Sequence, residues 1–280
     1  MKSFIAAFDP YHISDSTLQY GVVLAKDAYA QLCGSFVRAF YYPNYALDRV
    51  MSREFNAEEI MNMAEESNRY ERELSAREFQ KACQLAGIDF TINKSQLTPL
   101  NELRYDSMFA DLLIVDKTES FPKSDIDISI QFIRDLLAES QCPVVLVPKR
   151  YQLTTDLCLL YDGSPGALFS IKIFGYLFED LRQLPLKVFC VNEHESDQLY
   201  LPNNLQARSL ISRSFPNATF MVVKGEAKKE IPKYLSTRPK GTMVIMGGHQ
   251  RNSLSMLFRR SLSELLITEL DMPLFISNHI

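Results

Sequence analysis

Between Asp162 and Leu262 the sequence gathers, at the ends of successive apolar runs, residue types suited to holding a phosphorylated base. Asp162-Gly163-Ser164 follows the run DLCLLY, Val191-Asn192 ends LKVFCVN, and Met246-Gly247-Gly248-His249-Gln250 ends TMVIM. Glycine lets a backbone approach a bulky ligand and leaves its N–H free to donate. A loop leading into a helix presents further free N–H groups, where an anion is favoured. Arg251, Arg259 and Arg260 can neutralise phosphate charge, Ser261 can donate a hydroxyl, and Leu262 continues that stretch. A carboxylate at Asp162 can accept from ribose hydroxyls or an adenine amine. Together these residues would make a mononucleotide pocket.

Each residue also has a plainer role. Gly247-Gly248 suits a tight turn, and Asp162-Gly163-Ser164-Pro165 suits a turn and a helix start. Arg259 and Arg260 fit a solvated face opposite the stripe Leu254, Leu257, Phe258, Leu262, Leu265 and Leu266. Ser261 also fits a small packing position, and His249 a surface loop. Catalysis has no visible machinery. His12, His194, His249 and His279 lack any partner that sequence assigns, and no cysteine–histidine spacing suggests a metal site. The expected output is a change of conformation or of partner, with no catalytic residue and no metal ligand.

Such a pocket needs strand ends held side by side, and the chain supplies them twice. Apolar runs alternate with helical patterns, which predicts an α/β fold with five-stranded parallel sheets flanked by helices. The strands are predicted at Lys2–Asp9, Ser35–Tyr42, Asp89–Ser95, Asp111–Lys117 and Pro143–Lys149, then at Asp156–Asp162, Leu186–Asn192, Ala218–Lys224, Thr242–Gly247 and Pro273–Asn278. Phe8-Asp9 parallels Tyr161-Asp162, and Asp116 stands where Gly247 stands. The separations Asp116 to Pro143 and Gly247 to Pro273 differ by a single residue. A duplicated unit follows, with domains at 1–150 and 151–280 meeting near Lys149–Gln152. One long helix is predicted from Ala57 to Ala86, capped by Asn56 and ended by Gly87, and it would extend roughly 45 Å. Its many charges suggest a solvated face, or else an interaction arm.

Bulk properties narrow the classes. With 30 basic and 34 acidic residues the chain carries a net charge of −4. The acidic excess lies wholly in residues 1–150, and 151–280 are slightly basic. A chain of this balance lacks the broad basic surface that nucleic-acid binding needs. No apolar run approaches the length of a membrane span, and no signal-peptide pattern opens the chain. The five cysteines are scattered through apolar runs, which suits free thiols in a reducing cytoplasm.

The duplicated units and the residues at their strand ends resemble a tandem universal stress protein over nearly the whole length. ATP-binding members of that family carry an aspartate after the first strand and a G-x2-G-x9-G-[S/T] loop after the fourth. The resemblance assigns Asp162 to the aspartate, Val191 to an adenine-contacting valine and Gly247 to the first glycine. Gln250 and Arg260 then stand where the second and third glycines belong, and Ser261 takes the hydroxyl position. It implies ATP or a related adenine nucleotide in the second half, with Mg2+ accompanying ATP, and Arg260 either replacing an amide as a phosphate partner or filling the pocket. The first half keeps Asp9 but has Asp116-Lys117-Thr118 in place of glycine, so no nucleotide is expected there. The resemblance further implies that the two last strands join the halves as a pseudo-dimer, which can pair again as a homodimer or engage another protein. A scaffold that has lost its ligand is the competing expectation. An adenylating ligase would need a Gly/Ser-rich loop directly after the first strand, which Phe8-Asp9-Pro10-Tyr11-His12 lacks.

Overall fold

The computed structural model describes residues 1–9, 13–37, 57–93, 99–117, 126–193, 200–248 and 260–278, with backbone alone at 57–69, 71–72, 99, 126–130 and 260–264. The N-terminal half runs β1 (Lys2–Phe8), α1 (Asp15–Ala28), β2 (Ala30–Phe36), α2 (Ala57–Ala86), β3 (Phe90–Asn93), α3 (Pro99–Ser107), β4 (Leu112–Asp116), α4 (Ile126–Glu139) and β5 (Val144–Val147). The C-terminal half runs β6 (Asp156–Leu160), α5 (Pro165–Leu177), β7 (Leu186–Asn192), α6 (Asn204–Ser214), β8 (Ala218–Lys224), α7 (Ala227–Leu235), β9 (Thr242–Gly247), α8 (Arg260–Glu269) and β10 (Leu274–Ser277). A short 3-10 turn spans Asp180–Gln183.

All ten strands form one sheet in the order β3-β2-β1-β4-β5-β10-β9-β6-β7-β8. Every neighbouring pair is parallel except β5 and β10, which run antiparallel with Leu146 opposite Leu274 and Val144 opposite Ile276. The two last strands therefore join the halves, as the resemblance implied. Each half has the same strand order, and in each the order reverses beside its first strand. That reversal opens a crevice at the carboxyl ends of the strands.

The strand sequences explain the layers. β4, β5, β6, β9 and β10 are buried at every position, as expected of strands covered on both faces. Alternate residues point to opposite faces. Phe4, Ala6, Ile114, Leu159 and Ile245 face a layer built by α1, α2, α5 and α6. Ile5, Ala7, Val115, Leu160 and Met246 face one built by α3, α4, α7 and α8. Packing does not stop at the junction. The Phe4 ring meets Phe178 edge-on at 5.8 Å, and Tyr20 Oη donates to the Gln152 carbonyl at 3.0 Å. Burying each such side chain contributes about 1.5–3 kcal/mol, so one core spans both halves.

One predicted strand is misplaced. β2 begins at Ala30 and its described course ends at Phe36, whereas Ser35–Tyr42 was expected. Tyr29 adopts a left-handed conformation, φ 52°, and ends α1 without a longer loop, so the chain enters the sheet at once. Residues 38–42 lie outside the described part, as does Asn56. The long helix spans the predicted residues, and Gly87 follows it at φ +67°. No helix among the described residues is long and apolar enough to cross a membrane.

Candidate functional site

Register brings the candidate residues together. β6 pairs with β7 so that Leu160 meets Phe189, and with β9 so that Leu159 meets Ile245. Carried past the strand ends, those registers set Asp162 between Val191 and Gly248. Asp162, Val191 and the glycine pair thus converge on one strand exit, beside the reversal in strand order.

The turn after β6 is tightly specified. Asp162 Oδ1 accepts from the Ser164 backbone N–H at 2.9 Å, and Ser164 Oγ accepts from Ala167 N–H at 3.2 Å, which caps α5. Pro165 opens the helix, where its missing N–H costs nothing. Gly163 sits at φ +81°, and an added Cβ would lie 2.4 Å from the Pro202 Cβ. Tyr161 Oη donates to the Pro202 carbonyl at 3.0 Å, which pins that segment over the turn. Charge at this exit is local. Burial pushes the Cys190 thiol up to about 11, with the Asp162 carboxylate adding to it. Burial also raises Tyr161, helped by Cys190 and then Asp162. Both stay neutral near pH 7, and Asp162 supplies the negative charge.

The glycine pair is closely packed. A Cβ on Gly247 would fall 2.6 Å from Gly166 C and 2.7 Å from Ala167 N, both backbone atoms of α5. One on Gly248 would meet Asn278 Oδ1 at 1.8 Å, and Gly248 N–H donates to the Ser277 carbonyl at 2.7 Å. The Met246 side chain is buried in the layer of α7 and α8, and Val191 packs partly against the same layer. Arg260, Ser261 and Leu262 occupy the first turn of α8. Gln250 lies outside the described residues, together with His249, Arg251 and Arg259. Sequence reasoning missed Pro202 and Asn278. Both act through contacts distant along the chain, so no local signal marks them.

No family model matches the chain, and a search of curated proteins finds no match. Solved structures do match. A universal stress protein from Archaeoglobus fulgidus DSM 4304 superposes with a TM-score of 0.68 at 15% identity, over 99% of this chain and 96% of that one. A provisionally assigned universal stress protein from Pseudomonas aeruginosa UCBPP-PA14 gives 0.55 at 13% identity, over 99% and 93%. A functionally unknown protein from Pseudomonas aeruginosa PAO1 gives 0.54 at 12%, over 99% and 92%. The chain has the universal stress protein fold.

Because β5 and β10 run antiparallel, the equivalent exits of the two halves open at opposite ends of the shared sheet. In the N-terminal half Asp116 ends β4 where Gly247 ends β9. Ser14 Oγ donates to Asp116 Oδ2 at 2.8 Å, and the same oxygen accepts from Thr17 N–H at 3.2 Å to cap α1. Ser14, Asp116 and Asp9 are all buried. A carboxylate, itself hydrogen-bonded to the cap of the neighbouring helix, thus stands at this exit where the other half has glycine. An anion brought there would meet like charge.

Proposed function

We propose that this protein is a universal stress protein that binds an adenine nucleotide, ATP or a close relative, through its C-terminal half. The convergence of Asp162, Val191 and Gly248 at the reversal in strand order carries the reading. Asp162 accepts from ribose or the adenine amine, Val191 offers apolar contact to the base, and the phosphates lie toward the first turn of α8. There the backbone N–H groups and helix dipole favour an anion. Arg260 and Ser261 are the side-chain partners proposed for those phosphates, the first by a charge-assisted bond, with Mg2+ accompanying a triphosphate. The N-terminal half completes the sheet and binds no nucleotide. Ligand binding changes conformation or the choice of protein partner, in the cytoplasm, without chemical turnover. The homodimer belongs to the same reading, through repeated use of the chain's outer surfaces.

Equilibrium dialysis with ATP, ADP, AMP and cyclic nucleotides tests it. One equivalent of an adenine nucleotide should bind per chain, and Asp162→Asn, which keeps the oxygen that accepts from Ser164 N–H, should weaken it about tenfold. No binding by any nucleotide favours the second reading, an interaction scaffold. Pro202 laid over Gly163 and Asn278 set against Gly248 favour that alternative, since both crowd the exit.

A further inference from the structure

Lys117 follows β4 directly and is buried at 9% exposure. Its Nζ donates to the Met272 carbonyl at 3.2 Å and also to the Leu270 carbonyl, both in the other half of the chain. Leu270 stands just past the last residue of α8. Its carbonyl belongs to the group that a helix end leaves without an intrahelical partner. An ammonium there also meets the negative end of the helix dipole. The reach across halves comes from the sheet. β5 and β10 run antiparallel, so the exit of β4 and β5 stands beside the entry of β10. Lys117 N–H donates to the Val147 carbonyl at 3.1 Å, which holds its backbone against β5.

The arrangement is reciprocal. Asn278, just past β10, donates from Nδ2 to the Leu137 carbonyl in the last turn of α4. Each half thus reaches across to cap the helix that precedes the other half's last strand. The two caps differ in charge, because one is an ammonium and the other an amide.

We propose that Lys117 is a positioning residue for the C-terminal half: it fixes the far end of α8, the helix whose first turn carries Arg260, Ser261 and Leu262. The N-terminal half, with no glycine at its own exit, sets the seat of the helix that faces the phosphates in the other. The effect on nucleotide affinity rests on the nucleotide reading above, whereas the cap does not. Asp271 and Asp116 are the acids whose fields favour the ammonium, opposing the burial that draws Lys117 down to about 8.

Hydrogen exchange on the full-length protein tests this directly. Lys117→Met should speed exchange of the amides in 265–269 by about tenfold while leaving α7 unchanged, and Lys117→Arg should restore most of the protection. The Lys117→Met chain should also bind ATP about three- to tenfold more weakly than the wild type. If Lys117→Met does not fold, Lys117→Gln, which keeps a donor, serves in its place with a smaller change in the same amides. Unchanged exchange in α8 for a folded Lys117→Met protein overturns the proposal. If the wild type binds no nucleotide, the nucleotide reading fails and the exchange result alone decides the cap.

Discussion

At the end of β4 the chain places an aspartate and a lysine, and at the equivalent end of β9 it places two glycines. The difference follows how closely the neighbouring helix approaches. α5 lies backbone-to-backbone on β9, so close that a methyl group on Gly247 has no room. α1 instead presents the hydroxyl of its capping Ser14 to a full side chain at Asp116. A Gly-Gly pair at a strand exit therefore records close helix packing as well as any opening for a ligand. What distinguishes the C-terminal exit is the absence of a carboxylate on its fourth-strand end, since the aspartate after the first strand is present in both halves, as Asp9 and Asp162. The N-terminal exit has used the same positions for internal bonding, with Asp116 turned to its own helix and Lys117 turned to the other half.

The largest effect expected comes from exchanging these solutions. Gly247→Ala sets a methyl 2.6 Å from Gly166 C and 2.7 Å from Ala167 N. Backbone cannot rotate away as a side chain can, so α5 must lift from β9 at a cost of about 3 kcal/mol. Asp116→Gly removes a side chain and the charge-assisted bond from Ser14, which should cost about 1–2 kcal/mol. Urea midpoints for the two variants check the order. A Gly247→Ala protein as stable as Asp116→Gly would mean that α5 does not press on β9 as described.

A second contrast appears only with pH. Lys117 is drawn from 10.5 to about 8, chiefly by burial. Its folded value lies below its unfolded one, so between about 8 and 10.5 the unfolded chain holds more of this proton. The contribution of Lys117 to stability should therefore rise through that window, as the cost of a buried charge is relieved. The buried thiols Cys83, Cys142 and Cys158, pushed up to about 12 by burial, work in the opposite sense there. The measurement is thus the difference between wild type and Lys117→Met, followed from pH 7.5 to 10.5. It should shift in favour of the wild type by on the order of 2 kcal/mol. A flat difference would show that Lys117 is solvated.

Elements whose signals are local were legible in the sequence. The charged period of Ala57–Ala86 and the glycine after it placed α2, and the alternating α/β pattern with matched strand ends gave the sheet and its duplication. β2 lies earlier than the predicted span because its start depends on Tyr29, and nothing in composition announces that Tyr29 ends a helix in the left-handed region. At the site, Asp162, Val191 and Gly248 could be assembled because strand ends follow from strand register. Pro202, Asn278 and the reach of Lys117 could not, since each depends on where distant segments cross. In the sequence Lys117 is only part of the stretch that stands in place of glycine, whereas its side-chain contacts lie in the other half.

The smallest expected effect separates the two capping serines. Ser164→Ala removes an N-cap that accepts from Ala167 N–H at 3.2 Å, and should cost about 1 kcal/mol. Ser14→Ala removes the matching cap and also a 2.8 Å donor to the buried Asp116 carboxylate. It should cost about 2–3 kcal/mol, because a hydrogen bond to a charged group adds to the cap. The excess can be isolated by a double-mutant cycle, which removes the cap from the comparison. In an Asp116→Ala background, Ser14→Ala should fall to about 1 kcal/mol and match Ser164→Ala. A coupling near zero between Ser14 and Asp116 would mean that the carboxylate draws its stabilisation from other neighbours. Ser14 would then contribute as a helix cap alone, as Ser164 does.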